Sequence, residues 1–172
     1  MIRTISLAAV LAVALMGMQG ASAQQWVEHR PDGAGYRAVF PAQPADEVKD
    51  IDSIAGPVKT RTSVVEYEDK VFVAIASAYP VDVSADPQAS LDSARSGSVR
   101  NVDGELLSEE RLTVNDAPAR RMLIDLPQSG QVADALVILD GNHLYQAVYV
   151  GPRGTEHKEE ANRFLSSFAL ER

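Results

Sequence analysis

The chain has 172 residues, with 16 Lys and Arg against 24 Asp and Glu for a formal charge of −8, and its 45% hydrophobic and 23% charged residues suit a globular protein. It contains no cysteine, which excludes disulfides, a thiol nucleophile, a Cys-ligated zinc site and a lipid-anchored cysteine. An acidic surface repels phosphate backbones and anionic lipid heads, and no basic cluster exceeds Arg120-Arg121, so nucleic acid is not an expected partner.

The N-terminus opens with Arg3, continues through an apolar run from Ile5 to Met18, and closes on Ala21-Ser22-Ala23. A positive end, a hydrophobic middle and a small-x-small cleavage signal make this a secretory signal peptide. The run is shorter than the roughly 20 residues a bilayer-spanning helix needs, and no later segment is longer, so no membrane insertion is expected. Cleavage after Ala23 would leave residues 24–172 as one α+β domain in the periplasm or outside the cell. A chain of that size can bury a core without covalent staples.

Trp26 to His29 reads as a short β segment closed by the turn Arg30-Pro31-Asp32-Gly33. In Tyr36-Arg37-Ala38-Val39-Phe40, residues 36, 38 and 40 share one face at strand period, and Pro41 with Pro44 ends the ladder. Residues 42–56 are polar and are expected to be partly irregular. Val58 to Tyr67 alternates as a strand wet on at least one side near its start, Glu68-Asp69-Lys70 turns, and Val71 to Ala78 is apolar on both faces apart from Ser77, which predicts a strand covered above and below.

Asp86-Pro87 is an N-cap followed by proline at the first helical position, and Leu91, Ala94 and Val102 recur near helical spacing before Gly104 ends the helix. Glu105 to Thr113 and Ala119 to Leu126 form a hairpin about Asn115-Asp116. Val132 to Leu139 and Leu144 to Val150 flank Asp140-Gly141-Asn142, and the Asp-Gly pair is a strong hairpin signal. Thr155 is the expected cap of a last helix whose Ala161, Phe164, Leu165 and Phe168 fall at i, i+3, i+4 and i+7. Seven or eight strands joined by hairpin turns, with two helices, predict an α+β fold around a largely antiparallel sheet.

Gly35-Tyr36-Arg37-Ala38-Val39-Phe40-Pro41 with Pro44, then Leu144-Tyr145 after a tight turn, then Arg163-Phe164-Leu165-Ser166-Ser167-Phe168, resemble the landmarks of the PsbP-like α/β sandwich. That fold is shared by the thylakoid-lumen PsbP protein, the Ran-binding Mog protein and many small exported bacterial proteins. The resemblance follows element order across residues 24–172 and implies an antiparallel sheet with helices on its faces. Its landmarks are apolar and turn residues, so it implies architecture and transfers no photosystem or Ran contact.

His29, His143 and His157 lie in separate segments without metal-ligand spacing, and Asp140 with Asn142 lacks the rest of a calcium loop. Gly-x-Ser-x-Gly and Ser-x-x-Lys are absent, and Gly151-Pro152-Arg153-Gly154 lacks the lysine of a phosphate loop. Glu109-Glu110 point to opposite faces if they lie on a strand, and Glu159-Glu160 sit about 100° apart on a helix, so neither is an acid/base pair. Arg120-Arg121, beside Asp116 and Asp125, suits a carboxylate ligand but also suits the alternating charge of an exposed strand.

Trp26, Tyr145, Tyr149 and Arg153 are the candidate binding residues, the tyrosines sharing one strand face with Arg153 at its exit. No catalytic residue, metal or cofactor is assigned. Two functions follow. The favoured one is an exported, non-enzymatic binding or accessory domain for a protein or small-molecule partner, which predicts an exposed apolar patch or open cleft. The alternative is a small periplasmic hydrolase or metal-dependent enzyme around His143 or His157, which predicts a histidine and a carboxylate converging in one pocket.

Overall fold

A computed structural model describes residues 25–53 and 56–171; the expected signal segment lies outside them. In chain order the elements are β1 (Val27–His29), β2 (Tyr36–Phe40), β3 (Ala45–Ser53), β4 (Gly56–Tyr67), β5 (Lys70–Ala78) and α1 (Pro87–Asn101). They are followed by β6 (Glu105–Val114), β7 (Ala117–Leu126), β8 (Gln131–Asp140), β9 (His143–Pro152), α2 (Glu159–Ser167) and β10 (Ala169–Leu170). Seven strands form one sheet in the order β3-β4-β5-β9-β8-β7-β6, and β1-β2-β10 form a second. Every pairing is antiparallel, as the run of hairpin turns predicts for an α+β chain.

The small sheet and α2 cover one face of the large sheet. Tyr36, Ala38 and Phe40 of β2 are buried against it, which is the face that their strand period assigned. Phe164 of α2 meets Phe40 at 5.1 Å and Phe72 at 5.4 Å, Tyr36 stacks on Phe168 at 5.0 Å, and Phe72 meets Tyr149 edge-on. Aromatic pairs in tilted and edge-on arrangements add to area burial. Ala161, Phe164, Leu165 and Phe168 are all buried, so the helical spacing identified the core stripe of α2.

The opposite face is covered by α1, over β7 and β8, with Tyr79 and Val83 of the loop after β5 packed against the same cluster. Asp86 caps it, its carboxylate accepting from the Ala89 N–H. Its apolar face is thin: Leu91 is fully buried, Ala94 and Val99 are half-buried, and Val102, expected to pack, is the exposed residue that ends the helix. Consequently β5 is covered on one side only. Phe72, Ala74 and Ala76 are buried, whereas Val71, Val73 and Ile75 on the α1 side stay half-open, correcting the expectation of cover on both faces.

Other departures have local causes. Residues 45–53, expected to be irregular, form β3, which pairs with β4 along its full length. As an edge strand with every residue exposed, it has no buried face to impose alternation on its sequence. With β10, which is only two residues long, it brings the described strands to ten. In the β8–β9 hairpin Asp140 pairs with His143, so the central residues are Gly141 and Asn142, not Asp-Gly. Gly141 has φ +58 and Asn142 is not positive, as in a turn of type II′. Thr155 does not cap α2: its hydroxyl donates to the Pro152 carbonyl and accepts from Tyr149, and the helix starts after Lys158.

Phe164 joins α2 to both sheets. Phe164→Ala is expected to cost about 3–5 kcal/mol in urea denaturation, whereas Leu107→Ala on the exposed β6 edge should change stability by less than about 0.5 kcal/mol. A loss below about 1 kcal/mol for Phe164→Ala would contradict this packing.

Candidate functional site

Because α1 spans β7 and β8 but not the neighbouring strands, a cleft of about 780 Å³ opens between the helix, the loop after β5 and the sheet. Its floor is aliphatic, made by Ile75, Leu139 and Leu144, with the amide of Gln146 beside them. Its helix wall carries small side chains, among them Ala89, Ser93, Ala94 and Gly97. No heavy atom lies within 4 Å of where a Cβ on Gly97 would stand, so that part of the wall is open space. Asp82 and Asp86 stand on the loop side, and the lining includes no lysine, arginine or histidine.

The wall is held in place by one buried cation. Arg120 of β7, 1% exposed, reaches across to α1 and to β6. Its Nη1 donates to Asp92 and to Glu109, each at 2.5 Å, and its Nη2 to the backbone and side-chain carbonyls of Gln88. Arg95 of α1 closes the cluster, 3.0 Å from Glu109 and 3.1 Å from Asp92. Arg111 faces Arg120 across the β6–β7 ladder. The arginine is thus inside the structure, not on an exposed strand, and its acids are Asp92 and Glu109 instead of Asp116 and Asp125. Its Nε is buried without a partner among the described residues.

These contacts set the charges. The hydrogen bond from Arg120 holds the Asp92 carboxyl below the usual carboxylate range. Burial pushes Glu109 upward, but hydrogen bonds from Arg120 and Arg95 outweigh it and leave that carboxyl lowered as well. Burial likewise opposes the charge on Arg120, and its two carboxylates more than compensate. On the other face Arg121 grips the buried Asp134 with two bonds, 3.0 and 2.7 Å, and Arg153 grips Asp125 at 2.6 and 2.8 Å.

Trp26, Tyr145, Tyr149 and Arg153 lie elsewhere. Trp26 packs edge-on against Phe72 beneath the Arg163 guanidinium, and Tyr149 is buried with its hydroxyl donating to Thr155. Tyr145 is buried under Gly35, where φ is +75 and an added Cβ would stand 2.7 Å from the tyrosine hydroxyl. All belong to the α2 side of the sheet, and none lines the cleft beside α1.

The histidines are likewise dispersed. His143 stacks on Tyr145, and His157, which precedes α2 instead of lying in its first turn, lines a smaller cavity of about 260 Å³ with Arg121 and Asp134. Both oxygens of Asp134 are held by Arg121. His29 makes the contact that sequence spacing missed: its Nε2 lies 2.9 Å from Asp46 of β3. Asp46 also accepts from the buried Ser63 hydroxyl at 2.6 Å, which meets Tyr36 at 2.7 Å. Here the acid stands between serine and histidine, so the imidazole is not placed to take the hydroxyl proton as a nucleophile relay requires. Burial pushes the Tyr36 hydroxyl up to about 12. Among the described residues no group of three or more His, Asp or Glu is arranged to hold a metal ion, and no helix is long and apolar enough to cross a membrane.

An antiparallel seven-stranded sheet between one helix on one face and a helix with a small sheet on the other defines an α/β sandwich of the PsbP-like fold. The chain is similar to the solution structure of cyanobacterial PsbP (CyanoP) from Synechocystis sp. PCC 6803, with a TM-score of 0.51 and 12% identity over 88% of this chain and 95% of that one. At such identity the likeness is one of fold. The chain matches no protein-family model and no curated protein.

Since Asp92 and Glu109 have lower pKa values folded than unfolded, the stability they confer is complete above the ordinary carboxylate range and is lost as pH falls through the lowered values. Below about pH 4 the α1 amides of Leu91 and Ala94 are expected to shift in NMR spectra before those of Phe164 and Phe168. Earlier movement of the α2 signals would contradict the assignment of this acid sensitivity to the Arg120 cluster.

Proposed function

We propose that this chain is an exported, non-enzymatic binding domain whose ligand site is the cleft between α1 and the sheet. The observation that carries the reading is the cleft itself: about 780 Å³, within the usual range of small-molecule sites, with an aliphatic floor of Ile75, Leu139 and Leu144, the Gln146 amide beside them, and further polar groups on its walls. The three histidines stand outside it, and the carboxylates of its lining, Asp82 and Asp86, are engaged by neighbouring N–H and hydroxyl groups of the chain. The signal-like N-terminus supports export, and residues 24–172 are proposed as the mature domain. The ligand site is accordingly proposed on the α1 side, away from the tyrosine face of β9, where Tyr145 and Tyr149 are committed to packing.

Gly97→Phe tests the site directly. The substitution places a ring in open space on a helix position that glycine disfavours, so folding should be retained. The neutral apolar dye Nile red is expected to bind the full chain with enhanced fluorescence, and Gly97→Phe should weaken that binding at least about tenfold, a loss equivalent to the apolar contact of one or two buried methylenes or more. Equal dye binding by both proteins, with matching circular dichroism, would place the ligand site elsewhere.

A further inference from the structure

We propose that the cleft accepts a free single-chain amphiphile with a cationic head and an unbranched aliphatic tail. This rests on the cleft being the ligand site and adds the chemistry of its occupant. The tail follows from the floor. Ile75, Leu139 and Leu144 continue along the open sheet into the row Val64, Val73 and Val148, which the strand register sets side by side. These valines are half-buried and lie beside α1's coverage, so an aliphatic strip runs out of the cleft. The helix wall opposite is built of Ala89, Ser93, Ala94 and Gly97, small side chains that leave a trough over this strip, and Tyr79 of the loop after β5 is the aromatic residue of the lining.

The head follows from charge. Asp82 and Asp86 are the carboxylates of the lining, beside the Tyr79 phenol, and no lysine, arginine or histidine is among its residues. Each is held in place: Asp82 accepts from the Ser84 N–H and hydroxyl through one oxygen, and Asp86 caps α1 through one oxygen. The first arrangement holds the Asp82 carboxyl below its ordinary range. With a whole-chain charge of −8 behind them, these acids attract a cationic head and repel a carboxylate or phosphate of the same tail length.

The test is displacement of Nile red from the full chain by dodecyltrimethylammonium, dodecanoate and dodecyl maltoside, each kept below its micelle concentration. The cationic compound should bind about fivefold or more tightly than dodecanoate at low salt, with a margin that shrinks as salt rises. Each methylene added to the tail should tighten binding by up to about fourfold. Asp82→Asn combined with Asp86→Asn keeps the helix cap, since Asn and Asp cap equally well, and should bring the cationic and neutral compounds to similar affinity. Dodecanoate binding as tightly as the cation, or a preference that survives the double substitution, overturns the head assignment and leaves the cleft reading intact. If Nile red and all three compounds bind Gly97→Phe as well as the unaltered chain, the cleft reading fails and this inference fails with it.

Discussion

A single guanidinium decides the shape of the α1 side of this protein. Arg120 is among the largest fully buried side chains, yet it sits under a helix that contributes one fully buried apolar residue, Leu91. Enclosing a cation is unfavourable unless acids and carbonyls meet it, and here Asp92, Glu109 and Gln88 do so from two different elements. Removing one partner leaves the others without compensation, so the cluster behaves as a unit. It fixes where α1 rests, and thereby how wide a gap remains over β5 and β9.

The two faces of the sheet are built on different physics. On the α2 side, Phe40, Phe72, Phe164 and Phe168 interlock with Tyr36 and Tyr149, and close packing leaves little space for a ligand. On the α1 side, ionic contacts at one flank of the helix hold it while alanine, serine and glycine face the sheet at the other flank. Large side chains there would have closed the cleft. The helix is therefore both a cover for β7 and β8 and the wall of the cleft.

Much of the architecture was legible because it is local. The stripe Ala161, Phe164, Leu165 and Phe168 and the Asp86-Pro87 start of α1 each lie within a few turns of chain, where periodicity and capping act. The edge strand β3 was not, since both of its faces meet solvent and its charges carry no alternation. Arg120 looked like surface charge because its carboxylate partners lie 28 and 11 residues away and only the folded sheet brings them together. The cleft was the least visible feature: a wall of small residues is defined by missing side chains, and no spacing rule announces it. Trp26, Tyr145 and Tyr149 read as binding residues by their aromatic chemistry; the two tyrosines are buried in the core and Trp26 is partly buried against it.

Hydrogen exchange across α1 in Arg120→Met tests the central claim most directly, because methionine keeps much of the side-chain length and removes the cation. If the Arg120 cluster positions the helix, amides throughout Pro87–Asn101 will lose protection while those of α2 and β2 keep theirs. Unchanged protection of α1, or loss spread evenly over both faces of the sheet, would contradict the account.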